Sequence, residues 1–218
     1  MLPGIAGGMM AAAAAAVAGV ADITIVDDGD AAPSSGTGTA THTYNSQTST
    51  GPSSVVALTW FKSGANTTLS SITWGGVSMS ILVQSGTVNA SGDNVGAAIC
   101  IIAGAQSGNI IATFSGSTGD SEITKVSLDN LQNLTAVDTD AAANDLSALL
   151  SPGAGGIRIG ASANNAQSTA VSWTNAIEIA DLSIGSSRHS AAYDLGDDGG
   201  TISCTGSPRV RTVGVSLR

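Results

Sequence analysis

The residues that could perform acid–base or nucleophilic chemistry are few in this chain. There are two histidines, His42 and His189, and two glutamates, Glu122 and Glu178. Hydrolysis by a nucleophilic side chain requires a base beside the nucleophile and a group that orients the base. Each histidine stands alone in a strand-like run, TATHTY or SSRHSAAY, and is predicted to be a surface or edge residue. No nucleophile-elbow motif before a helix accompanies them, so the sequence predicts no catalytic residue.

Glycoside hydrolysis would need two carboxylates that face one sugar. The pattern singles out no such pair, and Glu178 alternates with apolar neighbours in AIEIADL, which predicts a solvent-facing side chain. An aromatic platform for sugars is also not indicated, since Trp60, Trp74 and Trp173 lie within strand-like runs. Aromatic side chains contribute large buried areas, so core packing is the interpretation for all three.

Two short acidic runs are the only candidates for a metal site. DDGD (27–30) and GDDGG (196–200) place oxygen ligands on glycine-containing turns, as calcium prefers. Neither has the spacing of an EF-hand or of a calcium-binding nonapeptide repeat, and Asp-Gly favours a turn without any metal. The sequence predicts no metal and no cofactor, and the calcium candidates are Asp27, Asp28, Asp30, Asp197 and Asp198.

The two cysteines, Cys100 and Cys204, lie in apolar or strand-like runs. A secreted module stapled by disulfides would usually contain more of them. Both are predicted to be buried thiols, although their related places in the internal repeat described below leave a bridge between them open.

The composition argues against several classes of function. Charged residues make up 11% of the chain, whereas an ordinary soluble domain has about 25%. The net charge is −9, with only two lysines, Lys62 and Lys125, so binding of nucleic acid is not expected. A surface of Ser, Thr, Asn, Gly and Ala is typical of a protein inside an assembly or of a rigid extracellular β structure.

Most of the chain is a succession of short alternating or β-branched runs. Examples are SVVALTWF, VGAAICIIA, ITKVSL, GIRIGASA and RTVGVSL, each bounded by Gly, Ser, Asn or Asp. Short strands at this spacing are typical of a sandwich or a barrel. The fold class is therefore predicted to be all-β, with residues 22–218 forming a jelly-roll-like antiparallel β-sandwich.

A weak internal repeat divides this region into halves at about 50–137 and 155–218. The alignment places Trp74 on Trp173, Ala97 on Ala191, Gly116 on Gly206 and Val126 on Val215. We expect one sandwich to which the halves contribute equivalent strands, and two small tandem sandwiches are the alternative. Residues 138–156 are expected to be a linker: either at most a turn or two of helix, since Leu146, Leu149 and Leu150 have helical spacing, or an extended loop.

Residues 1–21 form an apolar arm rich in Ala and Gly, in which the alanine run favours helix. A secretory signal would have basic residues before its apolar core, but no Lys or Arg precedes Lys62. As a membrane span the arm is poor, because Ala and Gly dilute its larger side chains and no basic residues flank it. We interpret it as an assembly arm that needs a neighbour, through Leu2, Ile5, Met9, Met10, Val17 and Val20.

The arm followed by a Gly/Ser/Thr-rich β chain resembles the small all-β virion proteins of tailed bacteriophages. The start MLPGI carries this resemblance, together with the runs SSVVALTW, ITWGGVSMSILV, NVGAAICIIAGAQSGNIIATFSGS and ITKVSLDNLQN. The resemblance implies virion structure or host adsorption, with copies of the chain, other virion proteins and a host-surface glycan as partners. A tail or fibre component ranks first, a capsid-decoration protein second, and a secreted glycan-binding module is the rival class.

Overall fold

The computed structural model describes residues 21–27, 31–34, 38–61, 66–86, 95–143, 147–151, 155–165, 170–185, 187–196, 200–205 and 210–218. Within these ranges the chain is all-β, without a helix, and the strands pair in antiparallel fashion in four sheets. The six arm side chains of residues 1–20 lie outside the described residues, so the arm remains a prediction.

The first half of the chain forms two sheets. Its strands are β1 (Thr24–Asp27), β2 (Ala31–Pro33), β3 (Thr41–Thr48), β4 (Ser53–Phe61), β5 (Leu69–Trp74), β6 (Val77–Ser78), β7 (Ser80–Ser85), β8 (Val95–Ala103), β9 (Ser107–Phe114) and β10 (Ser121–Asp129). The first inner sheet has the order β1-β10-β4-β8-β7, with β2 also paired to β10. The first outer sheet has the order β3-β9-β5-β6.

The second half repeats this arrangement with fewer strands. They are β11 (Asp138–Ala143), β12 (Ser147–Leu150), β13 (Ile157–Asn164), β14 (Trp173–Thr174), β15 (Ile177–Ile184), β16 (Ser187–Leu195), β17 (Gly200–Cys204) and β18 (Val210–Leu217). The second inner sheet is β11-β18-β13-β16-β15, and the second outer sheet is β12-β17-β14. Strand by strand, the inner and outer orders of the two halves therefore correspond.

Three apolar cores separate the four sheets. The central core lies between the two inner sheets and joins side chains such as Val55 and Ile99 to Ile159 and Val215. The first outer core fills the space between β4, β8 and the first outer sheet, and Trp60 and Trp74 belong to it. A small second outer core contains Ala148, Leu150 and Ile202. The sheets thus stack in the order outer, inner, inner, outer.

Strands β4 and β8 are buried on both faces because each lies in an inner sheet. Val55 and Ala57 of β4 face the central core, while Val56, Leu58 and Trp60 face the first outer core. Such a strand has apolar residues at consecutive positions rather than at alternate ones, which accounts for the uninterrupted runs SVVALTWF and VGAAICIIA. The expected single sandwich is accordingly two facing pairs of sheets, joined through their inner sheets.

The prediction of a linker with a helical turn at 138–156 is wrong in its secondary structure. Residues 138–143 form β11, which pairs with β18, and residues 147–150 form β12, which pairs with β17. Ala148 and Leu150 point into the second outer core, while Leu149 between them is 64% exposed. That alternation is the period of a strand, and sheet pairing outweighs the helix propensity of the alanines and leucines.

Candidate functional site

A groove forms where the two halves meet at one end of the inner sheets. Its walls come from the loop after β2, the start of β10 and the end of β15. The groove has a volume of about 380 Å³ and is lined by Pro33, Ser34, Asp120, Ser121, Glu122, Leu182, Ser183 and Gly185. We call these eight residues the junction groove. Its lining combines two carboxyl side chains with three serine residues.

Glu122 is the most unusual residue of the junction groove. It lies two residues before Thr124 on β10, on the face that carries Val126 and Leu128 into the central core, and it is only 3% exposed. Within the described part of the chain its carboxyl group has neither a hydrogen bond nor an ion pair. Burial penalises the charged form and raises the pKa of Glu122 to about 7.

Asp120 extends the same acidic surface across the junction. Its side chain packs directly on the backbone of Gly185, where a Cβ atom would collide with Oδ2 of Asp120. Gly185 also has a φ of +52°, in the left-handed region that favours glycine. The turn after β15 therefore admits the carboxylate of the first half against the backbone of the second half.

A hydrogen-bonded network around His42 lies directly behind the groove. Nδ1 of His42 is 2.8 Å from Oγ of Ser34 and 2.6 Å from Oγ of Ser121. Nε2 is 2.6 Å from Oγ1 of Thr118, and Ser121 also contacts the hydroxyl of Tyr44 at 2.6 Å. Burial lowers the pKa of His42, which favours the neutral ring. Hydroxyl groups are the hydrogen-bond partners of both ring nitrogens.

This network includes a serine and a histidine in contact, but it differs from a hydrolytic triad. A triad uses a buried carboxylate to orient the second ring nitrogen and to stabilise the imidazolium that forms. Here Thr118 occupies that position, and Ser121 competes with Ser34 for Nδ1. The arrangement holds the loop after β2 against β10 and favours a neutral ring, so its chemistry is that of a structural hydrogen-bond network.

His189 occupies the interior between the two inner sheets. Its Nδ1 is 2.8 Å from Oγ1 of Thr59 on β4, and its Nε2 is 2.7 Å from Oγ1 of Thr124 on β10. The ring is fully buried, and burial lowers its pKa to about 3. It therefore stays neutral and links the second half to two strands of the first.

The prediction of surface positions is wrong for both histidines, since each is 0% exposed; His42 does lie on an edge strand, β3, whereas His189 lies on the interior strand β16. The physical reason is that hydroxyl partners satisfy both ring nitrogens, which removes most of the cost of burial. A sequence signal was present for His189, because it alternates with Ala191 and Tyr193, which face the central core. The same alternation marks Glu122 as inward-facing, ahead of Val126 and Leu128.

Other sequence predictions have mixed outcomes. Glu178 is exposed as predicted. Trp60 and Trp74 are buried core residues, and Trp173 is half-buried against the second outer core. Cys100 and Cys204 are both buried, and neither forms a disulfide. Cys100 lies in the first outer core and Cys204 lies on β17 of the second outer sheet. The two inner sheets lie between them and prevent a bridge.

Of the five calcium candidates, only Asp27 lies within the described residues. Asp27 is exposed at the end of β1, and Asp28, Asp30, Asp197 and Asp198 lie outside the described residues. Among the described ranges, no group of three or more His, Cys, Asp or Glu side chains has a metal-binding arrangement.

A second recess lies at the far end of β13 and β16 and is lined in part by Arg158, Asp194 and Asn175. Its polar groups are largely engaged with one another. Nε of Arg158 donates to Oδ2 of Asp194 at 3.0 Å, and Asn175 donates to the carbonyl of Thr201 at 3.2 Å. The Arg158, Asp194 and Asn175 side chains therefore already have protein partners.

Comparisons with protein-family models, with curated proteins and with solved structures found no match. In the part of the chain that the structure describes, no helix is long and apolar enough to cross a membrane.

Proposed function

We propose that this chain is a structural protein of a tailed-bacteriophage virion, a tail or fibre component whose β region is displayed outward. In this proposal the apolar residues 1–21 anchor it to copies of itself or to other virion proteins. The single observation that carries the proposal is the strand order of the two halves, which is that of the sandwiches used in capsid and surface-display proteins.

The strand order supports a jelly roll in each half. A jelly roll is a hairpin of eight strands rolled up so that the first strand pairs with the last, the second with the seventh and the third with the sixth. The first half has ten strands, and the count of eight leaves out β2 and β7, which lie at the edges of the first inner sheet. Its pairs are then β1 with β10, β3 with β9 and β4 with β8. In the second half they are β11 with β18, β12 with β17 and β13 with β16.

The rest of the molecule supports a display role rather than catalysis. The two halves share a central core, so the β region forms a stiff unit without a wide cleft between domains. The Ser34–His42 contact lacks an orienting carboxylate, which supports a structural role for this pair. We therefore propose no enzymatic activity, and we place the protein in the virion after synthesis in the bacterial cytoplasm.

A capsid-decoration protein is the second form of the same proposal, because it would use the same sandwich and the same arm at another position on the particle. The secreted glycan-binding module is less well supported. It would display tryptophan or tyrosine on one face for stacking on sugars. All seven Phe, Trp and Tyr residues lie in the described ranges, and each of them is buried or half-buried.

The test is a comparison of the full-length chain with a variant that lacks residues 2–21. Because β1 begins at Thr24, the deletion removes none of the described strands, and the shortened protein is expected to fold and to keep its thermal transition. We expect the full-length protein to form a defined oligomer, measured by light scattering after size-exclusion chromatography, and the shortened protein to be a monomer.

Two results would contradict the proposal. A shortened protein that forms the same oligomer as the full-length chain would mean that the arm is not the anchor. Removal of residues 1–21 from the native protein, seen by N-terminal sequencing, would favour secretion and the rival class.

A further inference from the structure

We propose that the junction groove binds one divalent cation, with the carboxylates of Glu122 and Asp120 as protein ligands and water molecules as the remaining ones. Calcium is the cation that this set favours, because it accepts oxygen ligands in irregular geometry and completes its shell with water. The site differs from the acidic turns at 27–30 and 196–200, and the inference does not depend on the proposed virion role.

The first argument is the environment of the Glu122 carboxyl. A carboxyl group at 3% exposure ordinarily has a cation or several hydrogen-bond donors as partners, because a buried unpaired charge is costly. Glu122 has neither among the described residues, yet it lines an open groove of about 380 Å³ that water and ions can enter. A bound cation would supply the partner that the protein does not.

The second argument is the chemistry of the neighbouring side chains. Asp120 lies two residues before Glu122 and lines the same groove. Every polar side-chain atom that these groove residues present is an oxygen, which suits a hard cation.

The third argument is the charge that surrounds the groove. Arg188 on β16 reaches Oγ of Ser183 at 3.2 Å, but its guanidinium is engaged by both carboxylate oxygens of Asp181 at 2.5 Å each. The two histidines near the groove, His42 and His189, are held neutral by burial. Glu122 therefore brings a negative charge without a protein partner into the groove when it is ionised.

The consequence concerns the contact between the halves. Asp120 and Glu122 belong to β10 and the residue before it, whereas Ser183 and Gly185 belong to β15 and the turn after it. A cation in the groove would neutralise the carboxylates at the place where the two inner sheets meet. It would thereby stabilise the folded chain in proportion to its occupancy.

The test uses the full-length protein at pH 8, first stripped with EDTA and then titrated with CaCl2, in thermal melts and in isothermal titration calorimetry. The variants are E122Q and its matched control E178Q, which removes the same charge from the only other glutamate, an exposed one. For the wild type we expect one calcium per chain and a Tm rise of about 5 °C at a hundredfold excess over Kd. E178Q should behave like the wild type, and E122Q should lose both the binding heat and the shift.

The inference is overturned if the wild type has no heat and no shift at about 10 mM CaCl2, or if E122Q binds as the wild type does. The variant D120N provides an independent check, which keeps the test decisive should E122Q fold poorly. Loss of calcium binding in D120N supports the site, and unchanged binding there removes Asp120 from the ligand set and contradicts the proposed geometry.

Discussion

At the scale of single residues, the interior of this protein contains polar groups whose charge states are set by burial. Burial lowers the pKa of His189 to about 3 and raises that of Glu122 to about 7. The two effects on stability have opposite signs. A histidine held neutral costs stability as the pH falls below 6.5, because only the unfolded chain then takes up the proton. A buried carboxyl costs stability as the pH rises.

The effect of Glu122 can be isolated with the variant E122Q. Its pKa in the folded chain, about 7, lies above the ordinary value of 4.5, so the folded state binds the proton more tightly. The penalty is absent below pH 4.5 and grows as the pH rises to 7, by up to about 1.4 kcal/mol per unit. In EDTA, we expect the stability of E122Q relative to the wild type to increase by about 2–3 kcal/mol between pH 4 and pH 8.

Urea unfolding of both proteins at a series of pH values measures this difference. E178Q is the control, since Glu178 is exposed and should give a much flatter difference curve. A constant stability difference between E122Q and the wild type across the same pH range would mean that Glu122 titrates normally.

At the scale of strands, much of the fold could be predicted from local pattern. The runs that became β4, β8, β10, β13 and β18 were evident from their β-branched and apolar residues. Residues 138–143 and 147–150 were not, because alanine and leucine favour helix locally and only pairing with β18 and β17 makes these two stretches extended. The burial of His42 also depends on residues far along the chain, Thr118 and Ser121, which local pattern cannot reveal.

The cross-strand pair of Trp60 and Gly96 illustrates how one strand depends on its neighbour. Gly96 on β8 lies opposite Trp60 on β4, and a Cβ at position 96 would collide with the indole ring. The variant G96A should therefore displace Trp60, which is 1% exposed. We expect a loss of about 2–3 kcal/mol in stability and a changed tryptophan fluorescence spectrum.

Gly116 provides the matched control for that substitution. The nearest atom that a Cβ at position 116 would meet is Oγ1 of Thr67, 4.0 Å away. G116A is expected to change stability by no more than about 0.5 kcal/mol. Equal losses in G96A and G116A would contradict the packing described for Trp60.

At the scale of the whole molecule, the central core makes the two halves interdependent. The second half contributes large aliphatic side chains to it, namely Ile157, Ile159, Val213, Val215 and Leu217. Burying each such side chain contributes about 1.5–3 kcal/mol, so the five together contribute about as much as the whole stability of a typical domain. Neither half is expected to be stable alone.

Native-state hydrogen exchange tests this interdependence. We expect the most protected amides of β4 and β8 in the first half to open with the same free energy as those of β13 and β18 in the second half. Two separate plateaus of opening free energy, one for each half, would mean that the halves unfold independently despite their shared core.

Sequence pattern did not reveal the stacking of the two inner sheets. The doubly buried runs of β4 and β8 indicated strands covered on both faces, but one apolar face does not specify which sheet covers it. The second half completes that cover with small residues, among them Ala161, Ala163 and Ala191, which let the sheets approach closely. Their alternation is as compatible with an isolated sandwich as with the stacked arrangement.

The mass of the full-length protein in solution tests the central claim, that this chain is an assembling structural protein, most directly. Native mass spectrometry of the intact chain should give a closed oligomer, threefold for a fibre or decoration protein and sixfold or twelvefold for a ring in the tail or neck. A monomer at every concentration, with residues 1–21 present, would contradict the account.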